Sequence, residues 1–222
     1  MFASIAGKYD ATNSVLSMGT HHRWRKTAVR MSGAKAGMSV LDCATGTGDL
    51  ALEFKKAVGD EGSVLGTDFC AEMMETAPAK ADASGLPVRF ETADAMDLPY
   101  NDNSFDIASI SFGIRNVDDP LICLQELARV VKPGGKVIVL EFGQPGGLFK
   151  YPYRFYSKHV IPFVGGIMTG NREAYSYLPE TSANFPAGKA FLDLMEKSGK
   201  YARQEAKELM GGIAYVYAGD VG

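Results

Sequence analysis

The residues best placed to do chemistry sit where apolar runs give way to turns. Val40-Leu41-Asp42-Cys43-Ala44-Thr45-Gly46-Thr47-Gly48-Asp49-Leu50 joins one such run to a glycine turn and then to a helical pattern. Gly46 and Gly48 let the backbone turn tightly and let a ligand approach the helix start closely. Asp68 ends the next apolar run, about 20 residues on, where a carboxylate can accept hydrogen bonds from both hydroxyls of a ribose. In Thr92-Ala93-Asp94-Ala95-Met96-Asp97-Leu98-Pro99 a third run ends on another acid. Asp94 there is placed to take the amino group of an adenine lying flat against apolar neighbours. Singly, a glycine turn is often only tight packing and an aspartate only a helix cap. Together the three strand ends point to an adenosine site.

The adenosine carrier has two readings. Gly46-x-Gly48-x-x-Ala51 also fits the dinucleotide fingerprint, so a nicotinamide oxidoreductase stays open at this point. Against it, no Tyr-x-x-x-Lys pair of the short-chain dehydrogenase kind is present. A pyrophosphate also wants N–H groups at a helix start, and Asp49 there should repel it. S-adenosylmethionine carries no phosphate, and its sulfonium and ammonium groups suit acidic, carbonyl-rich surroundings.

These sites need a scaffold that brings strand ends to one edge. Residues 38–43, 63–67, 87–92, 105–111 and 136–142 are short runs rich in Val, Ile, Leu and Phe, and read as strands. Helical patterns alternate with them at 49–58, at 71–82 with Pro78 as a stop or kink, and at 120–131. The last has Asp118 and Asp119 as cap candidates, Pro120 in its first turn and Pro133-Gly134-Gly135 as its stop. Strands alternating with helices predict an α/β fold, a mainly parallel sheet covered on both faces. Two regions break the rhythm. Residues 1–37 read as a helical N-terminal arm, and 144–185, rich in aromatics, Pro and Gly, read as an insertion serving as a substrate lid.

Composition narrows the class. The 222 residues, 46% apolar with 23 basic against 26 acidic side chains, suit a single folded domain over 1–222 and exclude disorder. The mild acidity argues against nucleic acid as a partner. Cys43, Cys70 and Cys123 stand far apart with no zinc-type spacing, as expected of reduced cytoplasmic thiols. His21 and His22 are adjacent and point apart on a helix, so no metal is expected. No leader follows Met1, and no apolar run approaches the roughly 20 residues of a membrane span. The expectation is a cytoplasmic protein, at most peripheral at the inner membrane face.

The motifs resemble the ubiquinone/menaquinone C-methyltransferase family over nearly the whole chain. The resemblance rests on Phe2-Ala3-Ser4-Ile5-Ala6-x-x-Tyr9-Asp10-x-x-Asn13, Leu16-Ser17-Met18-Gly19-x-His21 and Asp42-x-Ala44-Thr45-Gly46-Thr47-Gly48-Asp49. Its most specific part is Ile110-Ser111-Phe112-Gly113-Ile114-Arg115-Asn116-Val117, which ordinary class I methyltransferases do not share. Leu140-Glu141-Phe142 and Tyr175-x-Tyr177-Leu178-Pro179-Glu180-Thr181-Ser182 also match. The resemblance implies a Rossmann-like three-layer sandwich whose seven-stranded, mostly parallel sheet ends in an antiparallel strand, here near 212–218. It implies S-adenosylmethionine as methyl donor, with Thr47, Asp68, Asp94, Ala95 and Ser111 as its contacts beside Gly46 and Gly48. The acceptor it implies is a prenylated quinol, with a lean to demethylmenaquinol on the Ala44-Thr45-Gly46 form of the turn and methoxybenzoquinol as the alternative. A methyltransferase for a small soluble metabolite and a non-catalytic subunit of a quinone assembly are the other readings.

Ring methylation needs an electron-rich quinol and a group that stabilises negative charge on its oxygen. Arg115, just past the fourth strand, is the candidate for that charge; its bland reading is a surface ion pair with Asp118 or Asp119. Tyr9 and His159 are the candidate bases. Phe149, Tyr151, Tyr153, Phe155, Tyr156, Ile161, Phe163 and Val164 are candidates to line a channel for a prenyl tail. A bilayer-dwelling substrate predicts transient contact with the membrane surface.

Overall fold

The computed structural model describes residues 9–169 and 181–222. Seven strands form its sheet: β1 (Ser39–Cys43), β2 (Ser63–Asp68), β3 (Arg89–Thr92), β4 (Phe105–Ser111), β5 (Val131–Phe142), β6 (Tyr201–Leu209) and β7 (Ala214–Val221). Their order is β3-β2-β1-β4-β5-β7-β6. The first five are parallel, and β7 lies antiparallel between β5 and β6. The chain builds outward from β1 through β2 to β3, then returns to place β4 on the other side of β1. That reversal leaves a crevice at the carboxyl ends of β1 and β4, the place where open α/β sheets take ligands.

The described helices are α1 (Tyr9–Leu16), α2 (Thr20–Ser32), α3 (Asp49–Val58), α4 (Ala77–Ser84), α5 (Pro120–Val130), α6 (Lys150–Phe155), α7 (Ile161–Thr169) and α8 (Lys189–Lys197). Strand side chains alternate between two cores, as a period of two requires. Val40, Ile138, Leu140 and Val216 meet Trp24 and Ala28 of α2 and Leu50 and Phe54 of α3. Leu41, Ile110, Val139 and Tyr217 meet Leu124 and Leu127 of α5 and Phe191 and Met195 of α8. Both faces are therefore closed by apolar burial, and the N-terminal arm is part of that closure.

The class expected from the sequence is the class observed, with local differences. α5 starts where expected: Asp119 Oδ1 accepts the N–H groups of Leu121 (2.8 Å) and Ile122 (3.3 Å), and Pro120 follows in the first turn. Pro78 also sits in a first turn, that of α4, where its missing N–H costs nothing, and a short 3-10 turn (Ala71–Met74) precedes it. The segment with Pro133, Gly134 and Gly135 stops α5 but lies within β5. Phe105 pairs with Val131 and Ile107 with Lys136, so residues 132–135 bulge out of the ladder. β7 is antiparallel as expected but runs to Val221. β6 is a polar, largely exposed edge strand (YARQEAKEL) with no apolar alternation to announce it. No helix of the described residues is long and apolar enough to cross a membrane.

Candidate active site

The glycine turn is pinned from below. Asp42 is fully buried; its Oδ2 accepts the Thr45 hydroxyl (2.7 Å) and its Oδ1 the Ser109 hydroxyl of neighbouring β4 (2.7 Å). Burial pushes this carboxyl up to about 6, even though both hydroxyls pull the other way. The backbone then closes on itself: Thr45 N–H donates to Thr67 O and Gly48 N–H to Thr45 O, both at 2.9 Å. Gly48 has φ +82°, and a Cβ there would lie 3.0 Å from Phe90 Cζ, so only glycine turns the chain this closely into α3. Gly113, beyond β4, presses as closely on the turn from the other side; a Cβ would stand 2.4 Å from that of Ala44.

Two sequence candidates meet directly. Asp68 Oδ2 accepts Gly46 N–H and its Oδ1 accepts Cys70 N–H, each at 2.9 Å. Burial nevertheless leaves the carboxyl above its ordinary value. Each oxygen keeps room for a further donor, which matches a vicinal diol. Phe69, next in the chain, is 76% exposed, an aromatic face beside that carboxylate that no motif marks. Thr47 is buried in the turn. At the end of β3 the half-buried Asp94 accepts Met96 N–H through Oδ1 (2.8 Å), while Ala95, Met96 and Ala44 pack on one apolar core. Ser111 is the half-buried last residue of β4, opposite Leu140 of β5.

The discrimination against a dinucleotide lies elsewhere than Asp49's charge. Arg25 Nη1 of α2 stands 2.8 Å from Asp49 Oδ2, and Lys80 Nζ of α4 lies 2.7 Å from Oδ1. Burial alone would raise this carboxyl; the two cations hold it below its ordinary range and cancel its repulsion. A pyrophosphate would find neither glycine donor of the turn free, because the N–H groups of Gly46 and Gly48 are already committed.

Arg115 is not on the surface and does not pair with Asp118 or Asp119. Its Nη1 donates to Glu141 Oε1 at the end of β5 (2.6 Å) and to Phe112 O (2.8 Å). The side chains are 4% and 1% exposed, and the guanidinium lies 5.3 Å from the Phe142 ring centre. Glu141 Oε1 also accepts Phe142 N–H, while Glu141 Oε2 and Arg115 Nε are buried without a partner. Burial raises the Glu141 carboxyl, with Arg115 opposing. Glu141 is a partner the sequence reading missed, although an acid interrupting the apolar run of β5 signalled it. Over this pair, Trp24 sets its ring against Phe112 and Phe142, at 6.2 and 6.4 Å between centroids. The arm thus braces the loop that carries Arg115.

The two candidate bases are not brought to this cluster by any described contact. Tyr9 begins α1, and its side chain lies outside the described residues, as does most of the Tyr175–Ser182 motif. His159 is exposed in a single i→i+5 turn (Tyr156–Val160) between α6 and α7, its ring against Phe155. Of the channel candidates, Tyr151, Phe155 and Phe163 point outward and are exposed, Ile161 is buried, and Tyr153, Tyr156 and Val164 are half-buried. The Phe149 side chain lies outside the described residues. An enclosed channel therefore has at most the inward members as lining. Among the described residues, no three His, Cys, Asp or Glu side chains are placed to hold a metal ion.

A model of the ubiE/COQ5 methyltransferase family matches residues 1–220. The chain belongs to that family. A relative from Bdellovibrio bacteriovorus, named ubiquinone/menaquinone biosynthesis C-methyltransferase UbiE, is 60% identical over 222 residues, covering 100% of this chain and 94% of that protein. One from Thermus thermophilus, named demethylmenaquinone methyltransferase, is 47% identical and covers 99% of both chains. The fold recurs in a solved SAM-dependent methyltransferase from Thermotoga maritima, with a TM-score of 0.70 at 20% identity over 99% of this chain and 97% of that one. A SAM-dependent methyltransferase from Aquifex aeolicus gives 0.65 at 24% identity over 89% of each chain. Family membership makes the chain a methyltransferase, and the seven-stranded sheet with its antiparallel β5-β7-β6 edge is the class I methyltransferase fold.

Proposed function

We propose that this methyltransferase transfers a methyl group from S-adenosylmethionine to a ring carbon of a prenylated quinol, demethylmenaquinol in the first instance. The observation that carries the donor half is the Asp68 arrangement. Its carboxylate is anchored by Gly46 and Cys70, open to a ribose diol, and flanked by the exposed Phe69 as an adenine platform. Asp94 and Ala95 would hold the adenine edge, and Thr47 and Ser111 the remainder. The acceptor half rests on the names of the relatives, which cover this chain from end to end.

Bound there, S-adenosylmethionine supplies an already activated methyl group. The protein's own task is to align the ring carbon and keep water out. Arg115 is held rigid by Glu141 and Phe112 O, and its unpartnered Nε–H is the donor we assign to the ring oxygen, where charge builds as the carbon attacks. α1 and the insertion meet where the Tyr156 hydroxyl donates to Leu16 O (2.6 Å). We assign 144–185 as the substrate lid of a single 1–222 domain, and Tyr9 of the arm as proton acceptor ahead of the outward-facing His159. The substrate's long apolar tail brings the enzyme transiently to a membrane surface.

The test is methyl transfer by the purified protein to reduced demethylmenaquinol, reduced methoxybenzoquinol, their oxidised forms and water-soluble phenols, read by mass spectrometry. A ring-methylated quinol from the reduced substrates alone is expected. Transfer only to water-soluble acceptors overturns the quinol reading, and failure to bind S-adenosylmethionine overturns the donor as well.

A further inference from the structure

The helical segment formed by α6, the i→i+5 turn and α7 carries two parallel rows of side chains that the proposed chemistry does not use. Tyr151, Phe155, Phe163 and Ile167 are 71, 65, 61 and 70% exposed, with Leu148 just before them at 88%. They recur at multiples of four. A regular α-helix would wind such a row around its axis, but the wider turn at Tyr156–Val160 absorbs an extra residue and keeps the row nearer one side. Lys150, Arg154 and Lys158, all exposed, form a second row one residue earlier. The opposite side is anchored: Ser157 and Ile161 are buried, and Tyr156 bonds to α1.

Charge identifies what this face meets. No acidic residue occurs between Glu141 and Glu173, although the chain as a whole is net negative. Exposed aromatics beside a basic row call for a partner surface that is both apolar and anionic. Aromatic and aliphatic side chains beside a lysine–arginine row are the composition of a helix that lies in the headgroup layer of an anionic bilayer, apolar side down. Three cations and two prolines in the segment make it unsuited to cross that bilayer.

We infer that the 148–167 segment is a membrane-docking face, seating Tyr151, Phe155, Phe163 and Ile167 in the interface while Lys150, Arg154 and Lys158 contact anionic lipid headgroups. The inference deepens the quinol reading, since it states where such a substrate would be met, but its test does not depend on turnover.

The test is flotation of the full chain with phosphatidylcholine vesicles, with and without phosphatidylglycerol. Wild type should float with the anionic vesicles and detach as salt is raised. Replacing Lys150, Arg154 and Lys158 together by Gln should weaken binding about 100-fold, at roughly fivefold per charge. Phe155→Ser with Phe163→Ser should weaken it by about 10-fold or more per ring. Circular dichroism and S-adenosylmethionine affinity report whether the variants are folded, and the salt series on wild type needs no variant. No flotation of wild type, or equal flotation of folded variants, overturns the inference. So does a dimer in sedimentation velocity that the Phe pair abolishes while vesicles are ignored, which would make this face a contact between copies. A short-tailed, water-soluble quinol separates the two readings, because it tests methylation without any membrane.

Discussion

Removing the charge of Glu141 should be among the most damaging single changes available near the site. In Glu141→Gln the amide keeps the shape, but Arg115 stays charged and loses its counterion in a place where the side chains are 4% and 1% exposed. Breaking one side of a buried pair costs about 3–5 kcal/mol. For a chain of this size that is roughly 6–20 °C of Tm, at about 2–4 °C per kcal/mol. Arg115→Met leaves the mirror problem, with one difference. Glu141 can take up a proton, and its carboxyl is already raised by burial, whereas arginine cannot shed its charge. A raised folded value means that stability is greatest at low pH and is lost as pH climbs through that value. The Arg115→Met deficit should therefore shrink toward acid pH, and the Glu141→Gln deficit should not. The double variant Arg115→Met/Glu141→Leu should recover to within about 1–2 kcal/mol of wild type, because both charges are gone. Urea unfolding of the four proteins at acid and alkaline pH measures each of these differences. If every single variant stays within about 1 kcal/mol of wild type, the pair is solvated and the reasoning fails.

Other consequences can be measured directly. Asp68→Ala should weaken S-adenosylmethionine binding by about 2–4 kcal/mol, roughly 30- to 1,000-fold in Kd by calorimetry, through loss of two charge-assisted hydrogen bonds; an unchanged Kd would remove the ribose from that carboxylate. Asp42 is raised from 3.8 to about 6 in the folded protein, so its contribution is complete below its unfolded value and lost as pH rises through 6. Relative to Asp42→Asn, wild type should lose about 3 kcal/mol between about pH 4 and pH 6 in denaturant titrations, and parallel profiles would contradict this. Gly113→Ala should destabilise by about 1–3 kcal/mol and loosen donor binding, because its methyl would stand 2.4 Å from Ala44 Cβ. Thermal melts with and without S-adenosylmethionine check both effects.

The strand ends were legible because their signals are local. Strand, glycine turn and helix are contiguous in the sequence, and Asp68 and Asp94 follow apolar runs that the parallel sheet must align at one edge. What escaped were partnerships between residues far apart. Nothing near Arg115 announces Glu141, and the nearby Asp118 and Asp119 were the natural guess. Asp49 read as a bare charge because Arg25 and Lys80 reach it from different helices. β6 hid for a different reason: an exposed edge buries too little to need apolar alternation. In the insertion, aromatic residues marked the segment, but burial by the rest of the fold decided which of them face outward.

The placement of Trp24 has a consequence for how the protein is made. Trp24 and Ala28 belong to the same core as Leu140 and Val216, so α2, near the start of the chain, shares a core with the last strand. β7 also separates β5 from β6, so the sheet stays unfinished until the carboxyl-terminal hairpin emerges. α2 can meet α3, Phe112 and Phe142 as these emerge, but its contact with β7 forms only at the end of synthesis and closes a loop spanning most of the chain. Such late, long-range closure slows folding and lengthens the time in which a nascent chain is open to chaperones. A chain that stops before the final hairpin would keep its donor turn and its Arg115–Glu141 pair but leave β5 as an open sheet edge.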